Sequence, residues 1–302
     1  MAFLTQETQP DPRSSGCLLP QPDPLLPRSL IELLNETFGI YGAHLKKFLY
    51  LVAIVQVPLG LLIFLHTLFD PSARPMYLSV IASSLGTIAV YGAASYLVAL
   101  HKINDPNIEV WACYQNGFWF RVKSMISLGA ILAIWVAAVF GGILFVLGRP
   151  MLLGNAALTG IVNFVAFGML WMFLIWLFTS IPAAAISGFD GALAALRHTY
   201  GLVFGSKWRI FGIFCVLLLV TFGLSIVITI PFALMMALFG TEQTSTIFVT
   251  MQSISSIFVE TLVLPVLFIG GTLLYIDLRV RKEQFSVSTL RQEIKQNSYV
   301  AA

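Results

Sequence analysis

Six stretches of the chain are apolar at almost every position: about 48–69, 77–100, 124–147, 155–182, 210–239 and 250–276. Each is long enough to cross a bilayer, which takes about 20 mostly apolar residues in a helix. Barrel strands would alternate apolar and polar residues instead. Runs such as Leu217-Leu218-Leu219-Val220 do not alternate. The pattern therefore predicts an all-α polytopic membrane protein of six transmembrane helices. The links Asp70–Met76, Gly148–Gly154 and Gly240–Ser245 are short and pair the spans into three hairpins.

Before each pair the pattern turns amphipathic and ends in basic residues. The first such stretch opens with Ser29-Leu30-Ile31-Glu32 and reaches Lys46-Lys47. The second opens with Asp105-Pro106 and reaches Arg121 and Lys123; the third opens with Ser187-Gly188-Phe189-Asp190 and reaches Lys207 and Arg209. Each opening has helix-cap chemistry, with an acid near the start and bases near the end, as the helix dipole favours. Thr37-Phe38-Gly39-Ile40 is echoed by Thr199-Tyr200-Gly201-Leu202, and more weakly by Asn116-Gly117-Phe118. These echoes predict an internal repeat of three units, about 29–100, 105–182 and 187–276, related by an axis along the membrane normal. Each unit is a hairpin led by an interfacial helix. In the third, Leu193, Leu196, Tyr200 and Val203 share one face and are expected to lie against lipid, while Asp190 and Arg197 share the other.

Charge sets the orientation. Of 17 Lys and Arg, only Arg74 and Arg149 fall on the hairpin-link side. The positive-inside rule then places both termini in the cytoplasm. Residues 1–28 are polar, Pro-rich and without the apolar core of a signal peptide, so they read as a disordered cytoplasmic tail; 277–302 reads as a second tail. Lys46, Lys47, Arg121, Lys123, Arg197, Lys207 and Arg209 become candidate contacts for anionic lipid headgroups, each worth about 1 kcal/mol near the surface. The composition agrees: 58% apolar and 10% charged residues cannot coat a water-soluble body, which carries about 25% charge. A net charge of +3 without a basic block excludes a nucleic-acid partner. Three scattered cysteines exclude a disulfide scaffold.

Inside the spans, Gly129, Ala133, Ala137 and Gly141 recur every four residues, a stripe that lets two helices pack closely. Pro58, Pro182, Pro231 and Pro265 are candidate kinks. Glu260 is an acid within the last span, and such a residue is a functional candidate by default. Counted back from Asp277 at 1.5 Å per residue, it lies about 26 Å away, toward the outer part of the core. Gln56 and Asn163 are its candidate polar companions for a substrate or ion.

Chemistry of other kinds finds little support. The four histidines form no metal-ligand pair on one helix, so neither metal nor cofactor is expected. No nucleophile elbow occurs. Gly201–Lys207 superficially suggests a phosphate loop, but its spacing and its Ser-Lys order are wrong, and it reads as a turn into the fifth span.

Three segments resemble the membrane domain found in some glycerophosphoryl diester phosphodiesterases. They are Leu26-Pro27-Arg28-Ser29-Leu30-Ile31-Glu32-Leu33-Leu34 with Thr37-Phe38, Ala192–Tyr200 through Lys207-Trp208-Arg209, and Leu274-Tyr275-Ile276-Asp277-Leu278-Arg279-Val280-Arg281-Lys282-Glu283. The resemblance implies a prokaryotic cytoplasmic-membrane protein. It does not imply phosphodiesterase activity, which in the fused proteins belongs to a separate soluble barrel. The expectation is a non-catalytic membrane protein that binds a protein partner or lipids, linked to lipid metabolism. The alternatives are a transporter or lipid translocator working through Glu260, and an enzyme on lipid headgroups built from Asp190, His198 and Asp277.

Overall fold

The computed structural model describes residues 25–69, 76–147, 168, 175–176, 178–189, 191–238 and 246–299. Every regular element among them is helical. In chain order these are α1 (Leu30–Ala43), α2 (Leu45–Phe69), α3 (Met76–Lys102), α4 (Val110–Gly117), a 3-10 turn (Trp119–Arg121) and α5 (Val122–Leu147). After them come α6 (Phe178–Ser187), α7 (Ala192–Val203), α8 (Lys207–Leu238), α9 (Thr246–Glu283) and α10 (Val287–Tyr299). Five of the helices contain stretches long and apolar enough to cross a membrane: Leu45–Leu62, Ser83–Lys102, Val110–Trp135, Lys207–Leu238 and Ile254–Glu283. A sixth follows if α6 and α7, which meet at 115°, are taken together. Most of the expected fourth span, 155–182, lies outside the described residues.

Two helices form the centre. On α3, Val90, Ala93, Leu97, Val98 and Ala99 are buried, and α9 is buried almost continuously from Val263 to Val280. The contacts between them are close because small residues permit it. Gly271 on α9 leaves room for the rings of Tyr91 and Phe178. Tyr91 stacks on Phe268 with centroids 4.6 Å apart and donates its hydroxyl to the Phe178 carbonyl at 2.8 Å. Thr272 donates to Ser95 at 2.9 Å. A Cβ on Gly117 of α4 would meet the Gly92 carbonyl of α3 at 2.5 Å, so backbone lies on backbone there. Around this centre, α2 and α8 show apolar side chains outward: Val57, Leu61, Leu62 and Leu65 on α2, and Leu219, Phe222, Val227, Ile230 and Leu234 on α8. That is the reverse of a water-soluble surface and fits helices in hydrocarbon. Pro58, Pro231 and Pro265 each lie inside a helix that continues past them.

The first expected cap is present. Ser29 Oγ accepts from the Glu32 amide at 3.3 Å and Glu32 Oε2 accepts from the Ser29 amide at 2.7 Å. The other two expected caps are not formed. Asp105 accepts from the Asn107 amide, an Asx turn, and α4 begins only at Val110 behind Glu109, which makes no side-chain cap. Short polar side chains serve turns as readily as caps, and here the turn wins. Ser187 ends α6, and α7 starts after Gly191 without a side-chain cap; tertiary partners have claimed the Ser187 hydroxyl, as described below. Asp190 lies outside the described residues. The face of α7 also differs from expectation. Leu196 and Val203 are buried together with Ala192, Ala195, Thr199 and Leu202, while Leu193 and Tyr200 are exposed. The buried side is thus an alanine-rich stripe turned about the helix from the predicted one, because small residues fit against the protein and the largest ones are left outside. Finally, the boundary placed at 276/277 falls inside the continuous helix α9, and Leu290 and Ile294 of α10 are buried against the body.

Candidate membrane-facing sites

Ion pairs tie the helix ends together at the Lys/Arg-rich end. Asp277 of α9 has no exposed side-chain surface. It accepts from the Arg28 backbone amide at 2.7 Å, from Arg209 of α8 at 3.0 Å and from Arg281 at 3.0 Å. Both arginines also donate to the Arg28 carbonyl. The Arg28 side chain pairs with Glu36 of α1 at 2.6 Å, and Glu36 pairs in turn with Lys102 at the end of α3. Two residues beyond Asp277, Arg279 grips both Glu293 oxygens of α10 at 2.8 Å, reaches Glu283 at 2.7 Å and Ser187 Oγ at 3.0 Å, and lies over the Phe285 ring. Ser187 Oγ is also within 2.9 Å of the Tyr275 hydroxyl. Lys282 donates to the Gly201 carbonyl at 2.9 Å and to the Phe204 carbonyl. His198 Nε2 pairs with Glu283 at 2.8 Å. Asp277 and His198, two members of the enzyme alternative, are thus committed to holding helices together.

The headgroup candidates divide into two sets. Arg209 is taken up by Asp277, and Arg121 donates to the Ala184 carbonyl. Lys46, Lys123, Arg197 and Lys207 are exposed and Lys47 half-buried; none of the five makes an ion pair among the described residues, and Lys207 lies 4.5 Å above the Phe204 ring. Beside them stand exposed aromatics that the sequence reading passed over: Tyr50, Trp111, Trp119 and Trp208, the last 87% exposed. Part of their signal was available in the chain, since Trp119 and Trp208 lie within a few residues of an expected span entrance, where aromatic rings collect. A second feature missing from the sequence reading is His44 Nε2, at the junction of α1 and α2, within 3.0 Å of His101 Nδ1 near the end of α3. Among the described residues no group of three His, Cys, Asp or Glu is placed to hold a metal. The Gly201–Lys207 segment is a turn into α8, with Gly205 at φ +97°.

At the membrane-embedded level, Glu260 is half-buried and receives no hydrogen bond among the described residues. It lines a groove of about 650 Å³ between α8 and α9 with Thr221, Ser225, Leu264 and Leu267. Gln56 is buried on α2 but does not line this groove, and its amide nitrogen has no partner among the described residues. Gly60 of α2 packs on Ile257 of the antiparallel α9, so one turn away Gln56 is level with Thr261, whose hydroxyl likewise finds no partner among the described residues. Asn163 lies outside the described residues. In the small-residue stripe of α5, Gly129 packs on Ile88 of α3 and Ala133 is exposed; Ala137 and Gly141 continue the helix. No family model, no curated protein and no solved structure matches this chain.

Proposed function

We propose that the chain is a non-catalytic integral protein of the prokaryotic cytoplasmic membrane, with both termini in the cytoplasm, that holds anionic lipid headgroups and presents the assembled end to a protein partner of lipid metabolism. The observation that carries this is the division of charge at the Lys/Arg-rich end. Of the described acids there, Glu32 is spent on a cap and Glu36, Asp277, Glu283 and Glu293 on ion pairs, while Glu109 stays exposed. Lys46, Lys123, Arg197 and Lys207 stay exposed beside exposed tryptophans. A basic and aromatic rim of this kind suits a leaflet surface rich in anionic lipid.

The three-hairpin repeat belongs to the same proposal. It is supported by the shared environment of the echoed tetrads. Thr37 and Thr199 are buried, Phe38 and Tyr200 exposed, Gly39 and Gly201 open, Ile40 and Leu202 buried. Both threonines donate to the carbonyl four residues back. The link to lipid metabolism rests on the resemblance of Asp277–Glu283 and its companion segments to the phosphodiesterase-associated membrane domain.

The test is native mass spectrometry of the full chain from nanodiscs holding equal phosphatidylglycerol and phosphatidylcholine. The wild type is expected to retain phosphatidylglycerol preferentially. Replacing Lys46, Lys123, Arg197 and Lys207 together by Gln is expected to remove that preference. Equal retention of the two lipids by the wild type would refute the headgroup reading, and a stoichiometric second protein released from native-membrane discs would identify the partner.

A further inference from the structure

The groove between α8 and α9 has a depth, a shape and one unsatisfied group, and together these define an occupant. Its depth can be counted along both walls from a shared origin, because Arg209 and Asp277 are 3.0 Å apart. At 1.5 Å per residue, Ser225 lies about 24 Å and Glu260 about 26 Å from that pair. The two walls agree. In a hydrocarbon core of about 30 Å, both residues sit about 5 Å short of the opposite boundary. At the other end of the groove, Leu267 lies about 15 Å and Cys215 about 9 Å from the pair. The groove therefore runs from near the far boundary past the midplane, a path that one acyl chain entering from that leaflet can follow.

The far end carries the polar chemistry. Thr221 and Ser225 both donate their hydroxyl protons to carbonyls of their own helix. They offer nothing to Glu260, whose carboxylate accepts no hydrogen bond among the described residues. Among the described residues no Lys or Arg lines the groove, so none of them would hold a phosphate or offset a net negative headgroup. A carboxylate at this depth is costly without a partner. A protonated primary amine meets the need, since it brings both positive charge and hydrogen-bond donors.

We propose that this groove is a binding site for a zwitterionic phospholipid with a primary ammonium headgroup, of the phosphatidylethanolamine type, taken from the leaflet opposite the ion-pair cluster. One acyl chain lies along the groove against Leu264 and Leu267, and the ammonium engages Glu260 at its mouth. Phosphatidylcholine carries the same net charge but no N–H donor, and so isolates the contribution of the hydrogen bond.

The test uses the full chain in nanodiscs with equal phosphatidylethanolamine and phosphatidylcholine of matched chains, read by native mass spectrometry. The wild type is expected to retain phosphatidylethanolamine several-fold over phosphatidylcholine. Glu260→Gln is expected to bring the ratio near one. Leu264→Trp, which fills the groove, is expected to lower retention of both lipids. A wild-type ratio near one overturns the proposal. So does an unchanged ratio in Glu260→Gln, or full retention in Leu264→Trp. A lipid-free dimer that masks the groove would assign it to a second copy of the chain and overturn the proposal too. Neither variant touches the exposed lysines, so phosphatidylglycerol retention at the other face reports separately on the function proposed above.

Discussion

From Val263 to Val280, α9 is buried at nearly every position; from Ile254 to Leu262 the same helix is half or fully exposed at all but Ser255. The buried half ends in Asp277, Arg279 and Arg281, each tied to other elements. The exposed half carries one charge, Glu260, tied to nothing among the described residues. The acid itself does not explain the contrast, since each half is an apolar run with one acid inside it, Asp277 or Glu260. Position does. At the helix end, water and arginines are within reach and a carboxylate can organise several chain segments at once. Deeper in the bilayer such partners are scarce, and an acid kept there is free to meet a ligand. The Lys/Arg-rich end is an assembled cap, whereas Glu260 lines an open groove between α8 and α9.

The sharpest way to break this comparison is to remove the centre of the cap. Asp277→Ala would leave the Arg28 amide without its acceptor, and Arg209 and Arg281 without their carboxylate and with only the Arg28 carbonyl. Breaking a buried pair costs about 3–5 kcal/mol, and the low end is expected because both guanidiniums keep roughly a third of their surface in water. Thermal unfolding in detergent should show that loss, and an unchanged midpoint would mean that the cap holds nothing. Gly117→Ala comes next. Its Cβ would meet the Gly92 carbonyl at 2.5 Å and the Ala93 Cα at 2.9 Å, both backbone, and such overpacking costs about 1–3 kcal/mol. The same change at Gly223 of α8, where nothing lies within 4 Å, should cost nothing and could gain up to about 1 kcal/mol of helix propensity. Measured side by side, equal effects of the two would contradict the difference between centre and periphery.

The smallest effect concerns pH. Burial holds the His44 imidazole below its ordinary value, with His101 and Lys47 adding to the shift. The unfolded chain then takes up a proton first, below about pH 6.5, so stability should fall as pH drops through 6.5 toward the lower folded value. A modest lowering of the thermal midpoint between pH 7.5 and 5.5, reduced in His44→Gln, is the expected result. A midpoint that rises on acidification would reverse the sign and place a cation-binding partner beside the ring.

Much of the helical framework was legible because long apolar runs leave a chain few choices. Without water, only internally hydrogen-bonded segments survive, and the described residues of the runs at 48–69, 77–100, 210–239 and 250–276 all fall on helices. The Ser29–Glu32 cap was legible because both halves of the motif are local. The caps at Asp105 and Ser187 failed because a cap is a competition: Asp105 found a nearer amide, and Ser187 found Tyr275, Arg279 and Glu293. The α7 face was misjudged because helical spacing identifies an apolar stripe but not whether lipid or protein covers it.

The sequence alone determined that this protein lies in apolar surroundings, where its helices run, and that its bases gather at one end of them. These follow from hydrophobicity and charge, which act through composition over one segment at a time. The tertiary structure alone decided that Asp277 is buried under two arginines, that His44 meets His101, that Gln56 and Glu260 do not share a groove, and that Glu260 accepts no hydrogen bond among the described residues in the groove it lines with Ser225. Each of these depends on which helices become neighbours and in what register, and contacts between residues as far apart as 28 and 277 leave no periodicity in the chain to read.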